Sequence, residues 1–173
     1  MIEDWKKAWA AGVFDFQAHV QGKNNNQRAA GSRQLVLYVD TSIDEIISRL
    51  GEMTGANVEP KTRHRIRDEW RRRGCSEHCP EAHVQMRDVN MPLTARWSVT
   101  GAALAIVLWN VRPYLTTDRE PWDWALSQCL SQLKLTGQGS AAIIAAAKRL
   151  HSLGWELPPV MAHLVPKALE AAG

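Results

Sequence analysis

Apolar and polar positions alternate between two periods along the chain, and the switches between them mark the elements. Over residues 3–18 the recurrence is helical, with Trp5, Trp9, Gly12 and Phe16 on one stripe and Ala8, Ala11 and Asp15 on another. The second stripe is made of small residues, which let two helix backbones approach closely, so this face invites a helix partner. From Ala18 the period drops to two. His19 to Lys23 alternates, and Asn24, Asn25 and Asn26 form a turn-like run. Gln34 to Asp40 reads as a strand with Leu35, Leu37 and Val39 on one face and Gln34, Val36 and Tyr38 on the other.

A helix follows. Thr41 or Ser42 is placed to cap it, Asp44 and Glu45 sit in its first turn, Ile43, Ile46, Ile47 and Leu50 form its stripe, and Gly55 stops it. A short strand is expected around residues 57–61, and another from Arg96 to Thr100 with Trp97 and Val99 facing one way. Between them, residues 62–94 are polar and irregular. An apolar helix from Gly101 runs toward Pro113, and Glu120-Pro121 opens the next, since proline suits a first turn that needs no amide hydrogen. Residues 139–153 and 159–171 read as two further helices. The order predicts an α+β unit, αββαββα, with helices on one face of an antiparallel sheet and a helical extension. The expected division is a domain over residues 1–118, with an insertion at 62–94, and an extension over 119–173. No internal repeat is evident.

The chain of 173 residues is 45% apolar, enough for a real core, and its eight tryptophans must in part be buried. The formal charge of +3 permits nucleic-acid binding without demanding it. The distribution of charge is more telling. Lys61, Arg63, Arg65, Arg67, Arg71, Arg72 and Arg73 face only Asp68 and Glu69 in that stretch, a composition suited to phosphate contact. On the sheet, His19, Gln21, Lys23, Gln34, Tyr38, Arg96 and Ser98 share one predicted face and are of the types that read base edges. The three cysteines do not form a secreted disulfide framework, and no signal peptide or membrane span is expected, so the expectation is a cytoplasmic, nucleoid-associated protein. Cys75, His78, Cys79 and His83 lie close enough in sequence to hold a structural zinc ion, with His64 as a reserve ligand; free thiols and surface histidines are the plainer reading. Cys129 falls in an apolar helix and is expected to be a buried thiol. The tail helices carry few bases and are expected to pack onto the domain or extend an interface.

The run Ala10-Ala11-Gly12-Val13-Phe14-Asp15-Phe16-Gln17-Ala18 resembles the motif of the LAGLIDADG homing endonucleases. Tyr38-Val39-Asp40-Thr41-Ser42 resembles that family's second strand and turn. Trp97-Ser98-Val99-Thr100-Gly101, leading through Leu108 to Arg112-Pro113-Tyr114-Leu115, resembles its last strand and following helix. The resemblance covers residues 5–117. It implies a saddle-shaped sheet over the major groove of double-stranded DNA and a homodimer formed through the motif helix, with Ala8, Ala11, Gly12 and Asp15 at the interface and a near-palindromic target. Arg28 and Arg33, between the first two strands, join the residues expected on DNA. The family's metal-binding Asp aligns with Gln17, and its second Gly with Ala18. A neutral amide is a poor ligand for a hard cation, and Asp15 points about 200° away around the helix. No catalytic residue is therefore expected, with Asp15 as the fallback. The resemblance points to a phage or mobile-element protein that binds DNA without cutting, as a repressor or accessory factor. The alternatives are an active, magnesium-dependent endonuclease and a protein-interaction module on the same fold.

Overall fold

A computed structural model describes residues 2–23, 34–56, 58–62, 94–135 and 140–165. Helix α1 (Asp4–Gln17) passes directly into strand β1 (Ala18–Lys23). Strand β2 (Gln34–Thr41), helix α2 (Asp44–Thr54), strand β3 (Val58–Thr62) and strand β4 (Thr94–Thr100) follow. Helix α3 (Gly101–Val111) then leads through a 3-10 turn (Arg112–Tyr114) to helices α4 (Glu120–Leu135) and α5 (Ala141–Ser152). The strands form one antiparallel sheet in the order β1-β2-β4-β3. The αββαββα order and the α+β class expected from the sequence are thus present, with helices following the last strand.

One face of the sheet is dry. Leu37, Val39 and Trp97 are fully buried against Ala10, Ala11 and Phe14 of α1 and Ile47 and Leu50 of α2, because strand alternation sends every second side chain inward. Phe14 stacks on Trp97 at 5.6 Å and on Trp122 at 6.2 Å, which ties α1 to both the sheet and α4. The Trp97 indole N–H is satisfied inside the core by Thr54 Oγ1 at 3.0 Å, whose own hydroxyl donates to the Leu50 carbonyl. Helix α3 is apolar on all sides, as a helix enclosed on all sides must be: α4 and α5 both pack on it. The buried residues of the tail, Trp122, Leu126, Leu150, Trp155 and Met161 among them, belong to the same core. Cys129 is buried there as expected, and burial pushes its thiol up to about 12.

Polar groups fasten the tail to the sheet domain. Asn110, buried in α3, donates to the Glu156 carbonyl at 2.8 Å and accepts from the Glu156 N–H at 3.1 Å. Trp155 donates its indole N–H to the Met53 carbonyl at the end of α2. Lys7, 5% exposed, pairs with Glu156 at 3.2 Å and Asp4 at 3.4 Å. Burial alone would lower the Lys7 pKa, but the two carboxylates outweigh it and hold the ammonium charged.

Three local expectations are corrected. Neither Thr41 nor Ser42 caps α2: Ile43 occupies the cap position, and Thr41 Oγ1 instead accepts from the Ile43 N–H at 3.2 Å, bracing the turn before the helix. Ile43 consequently leaves the buried stripe and is half exposed. Residues 159–164 wind as a 3-10 helix rather than an α-helix, entered through Pro158 and Pro159. Gly55 does stop α2, in the left-handed conformation at φ +60°.

Candidate nucleic-acid interface

Opposite the dry face, the same alternation assembles a polar one. Register places His19 beside Tyr38 and Tyr38 beside Ser98, so β1, β2 and β4 contribute one cross-strand row. The neighbouring row runs Asp40, Arg96, Glu59 across β2, β4 and β3. Within these rows the side chains touch. His19 lies 5.5 Å from the Tyr38 ring, and the Arg96 guanidinium sits 4.6 Å from the same ring. Arg96 donates from Nε to Asp40 Oδ1 at 2.7 Å and from Nη2 to Asp40 Oδ2 at 2.8 Å, a two-point pair with both side chains largely covered. His19 and Gln21 are exposed, and Tyr38 and Ser98 half-buried.

Of the residues expected on DNA, the structure brings His19, Gln21, Tyr38, Arg96 and Ser98 onto this one face. Lys23, Gln34 and Lys61 lie in strands, but their side chains are not described. Arg28, Arg33, Arg63, Arg65 and Arg67 lie outside the described residues, as do Cys75, His78, Cys79, His83 and His64. No cluster of three or more potential metal ligands occurs among the described residues. Asp40 was not anticipated as a site residue. Its place on the polar face follows from strand alternation, but its pairing with Arg96 depends on the β2–β4 register, which residue order alone does not specify.

The motif helix divides differently from expectation. Ala11 is completely buried against the chain's own core, so it does not face outward with Ala8. The outward face is instead Trp5, Ala8, Gly12 and Phe16, with Phe16 88% exposed and open space beside Gly12. Arg49 of α2 lies across Trp5 at 5.1 Å and Trp9 at 4.9 Å, which orients the first half of this face. Asp15 turns aside to cap the segment after α3. Its carboxylate accepts from the Thr116 N–H and hydroxyl at 2.8 and 2.7 Å, and from the Thr117 N–H and hydroxyl at 3.4 and 2.5 Å. Partial burial raises its pKa, but these bonds outweigh that and leave it below the ordinary carboxylate value.

Gln17 is the last residue of α1, and its Oε1 is buried without a hydrogen-bond partner among the described residues. Ala18 follows in an extended conformation at φ −86°, so the passage from helix to strand needs no glycine.

No protein-family model and no curated protein sequence matches the chain. Among solved structures it is similar to the homing endonuclease I-CvuI in complex with its target, at 18% identity over 87% of this chain and 81% of that one, TM-score 0.49. In fold the chain is similar to homing endonucleases. The archaeal intron-encoded homing endonuclease I-Vdi141I, complexed with DNA, matches at 13% identity over 95% of this chain and 86% of that one, again at TM-score 0.49. A double mutant of I-SmaMI matches 99% of this chain with 49% of its own, at 13% identity and TM-score 0.45. No described helix is long and apolar enough to cross a membrane.

Proposed function

We propose that the chain binds double-stranded DNA on the polar face of its sheet, as a homodimer joined through the outward face of α1, and that it does not cut the DNA it holds. The observation that carries this reading is the end of α1. The helix finishes on the neutral amide of Gln17, and its neighbouring carboxylate, Asp15, spends both oxygens on Thr116 and Thr117. A hard divalent cation requires charged oxygen in an accessible ligand shell. Gln17 offers neither charge nor an exposed oxygen, so the residues at this helix end do not fit the metal that the LAGLIDADG resemblance implies, and strand scission has no activated water. Binding is a separate matter, served by the His19, Gln21, Tyr38, Arg96 and Ser98 face. The outward apolar residues of α1, with Phe16 almost wholly exposed, suit a second copy of the helix across a two-fold axis. A repressor or accessory role for a mobile element fits a protein that holds a site without breaking it.

The test restores the acid. Gln17→Asp, incubated with target duplex and magnesium or manganese, is expected to gain metal-dependent double-strand cleavage that the natural chain lacks. Site-specific breaks made by the natural chain itself would overturn the binding-only reading and favour an active endonuclease. Absence of salt-sensitive duplex binding under all conditions would favour a protein-interaction module instead.

A further inference from the structure

We infer that Gln21 is a base-reading residue of the polar face, and that the group it reads is the major-groove edge of an adenine. This rests on the DNA-binding reading above and deepens it. The face consists of three cross-strand rows. One holds Gln21, Val36 and Thr100, the next His19, Tyr38 and Ser98, and the third Asp40, Arg96 and Glu59. The third row is engaged with itself: Asp40 takes the Nε and Nη2 donors of Arg96 at 2.7 and 2.8 Å, and the same guanidinium lies against the Tyr38 ring. In the second row the His19 ring lies against Tyr38 at 5.5 Å. The first row differs from both. It carries no charge, and the cross-strand neighbour of Gln21 is Val36, an apolar side chain only 4% exposed, so nothing beside the amide competes for it. Gln21 is itself exposed, and its amide has no side-chain partner among the described residues.

The chemistry of the amide selects the base. A primary amide holds an NH2 donor and a carbonyl acceptor side by side. Adenine presents its N6 amino donor and N7 acceptor side by side in the major groove, so the two edges meet in a pair of bonds of opposite sense. Guanine presents two acceptors, which suit arginine or lysine, and cytosine a donor, which suits a carboxylate. The row of Gln21 holds neither kind of side chain. A polar group already bonded within the protein must break that bond before it reads a base, at the cost of leaving its partner unsatisfied. Gln21 has only water to exchange. Because the amide is neutral, it adds nothing to general attraction for phosphates and acts only in discrimination between bases. Sequence preference and salt dependence should therefore separate at this residue.

The experiment is selection of bound sequences from a random duplex library by the full-length protein, its Gln21→Ala variant and its Gln21→Arg variant. The natural chain is expected to enrich a motif with at least one adenine position per half-site. Gln21→Ala should flatten one such position, reducing discrimination roughly fivefold to 150-fold there, with other positions and the salt slope retained. Gln21→Arg should move the same position toward guanine, whose O6/N7 edge suits a guanidinium. A general loss of fold would weaken every position together, so the single-position readout separates base reading from mere support. As a measurement free of variants, 7-deaza-adenine at that position, which lacks the N7 acceptor but still pairs with thymine, should weaken binding by the natural chain about fivefold. The Gln21→Ala variant should not distinguish the two bases. A motif without adenine, retention of the adenine preference in both variants, or indifference of the natural chain to 7-deaza-adenine would overturn the inference while leaving DNA binding intact. Enrichment of no sequence by the natural chain would overturn the DNA-binding reading itself, and this inference with it.

Discussion

Asn110 offers the sharpest test of how the tail is held. Its Nδ2 donates to the Ile106 and Glu156 carbonyls at 2.9 and 2.8 Å, and its Oδ1 accepts from the Glu156 N–H at 3.1 Å. Reversing the amide would set donor against donor, so the orientation is determined by its partners. Asn110→Leu keeps nearly the same shape and deletes all three bonds. The Ile106 carbonyl already lies in helix α3, where the intrahelical ladder supplies it; Asn110 itself follows it by one turn. The two Glu156 backbone groups lose their side-chain partner. At about 1–3 kcal/mol for each buried group left unsatisfied, with partial access to water holding each toward the lower end, the cost is roughly 2–4 kcal/mol. For a chain of this size one kcal/mol moves Tm by about 2–4 °C, so a fall of roughly 5–15 °C is expected in calorimetry. Limited proteolysis should show earlier cutting around Leu153 to Leu157. A Tm within about 2 °C of the natural protein, with no change in cutting, would refute the view that Asn110 fastens the tail.

Three further outcomes follow from the same structure. Asp15→Asn should destabilise the protein near neutral pH, because one of its two oxygens becomes a donor facing the Thr116 and Thr117 donors. The folded pKa of Asp15 is lowered, so its contribution is present above the unfolded carboxylate value and disappears as pH falls through the folded one; Tm curves of the variant and the natural protein should therefore converge in acid, and a constant gap down to pH 2 would exclude this role. Cys129, its thiol pushed up to about 12 by burial, should resist alkylation at pH 8 until denaturant is added, with peptide mapping by mass spectrometry as the check; rapid native labelling would contradict its buried position. If the proposed dimer through α1 forms, Phe16→Ser should weaken it in sedimentation equilibrium by about tenfold, the worth of roughly 1.4 kcal/mol, while leaving Tm of the dilute protein little changed, and an unchanged association constant would refute the proposed interface.

Much of the fold was legible because alternation and helical recurrence are local signals. Leu35, Leu37 and Val39 announce the buried face of β2, and Trp97 and Val99 that of β4, without knowledge of any partner. What lay beyond reach depends on contacts distant in sequence. Thr41 looks like a helix cap in isolation, yet the helix starts later and its hydroxyl braces the turn instead. Asp15 and Ala8 occupy one stripe of an isolated helix, but Thr116 and Thr117, about a hundred residues away, claim the carboxylate. Ala11 is small for the sake of the chain's own core, a use of a small residue that composition cannot distinguish from a partner's contact. The Asp40–Arg96 pair needs the cross-strand register, and so the candidate interface was visible as a face before it was visible as a network.

At two junctions the chain changes element without a connecting loop: Gln17 ends α1 and Ala18 begins β1, while Thr100 ends β4 and Gly101, at φ +57°, begins α3. There is no slack at either seam. A single residue inserted between Gln17 and Ala18 would either turn the helix by about 100° or send every side chain of β1 through to the opposite face. Length variation is thereby barred from the places where the helix meets the sheet. Side chains on the polar face such as His19 and Ser98 can be exchanged without disturbing these seams, but the count of residues around them must be kept.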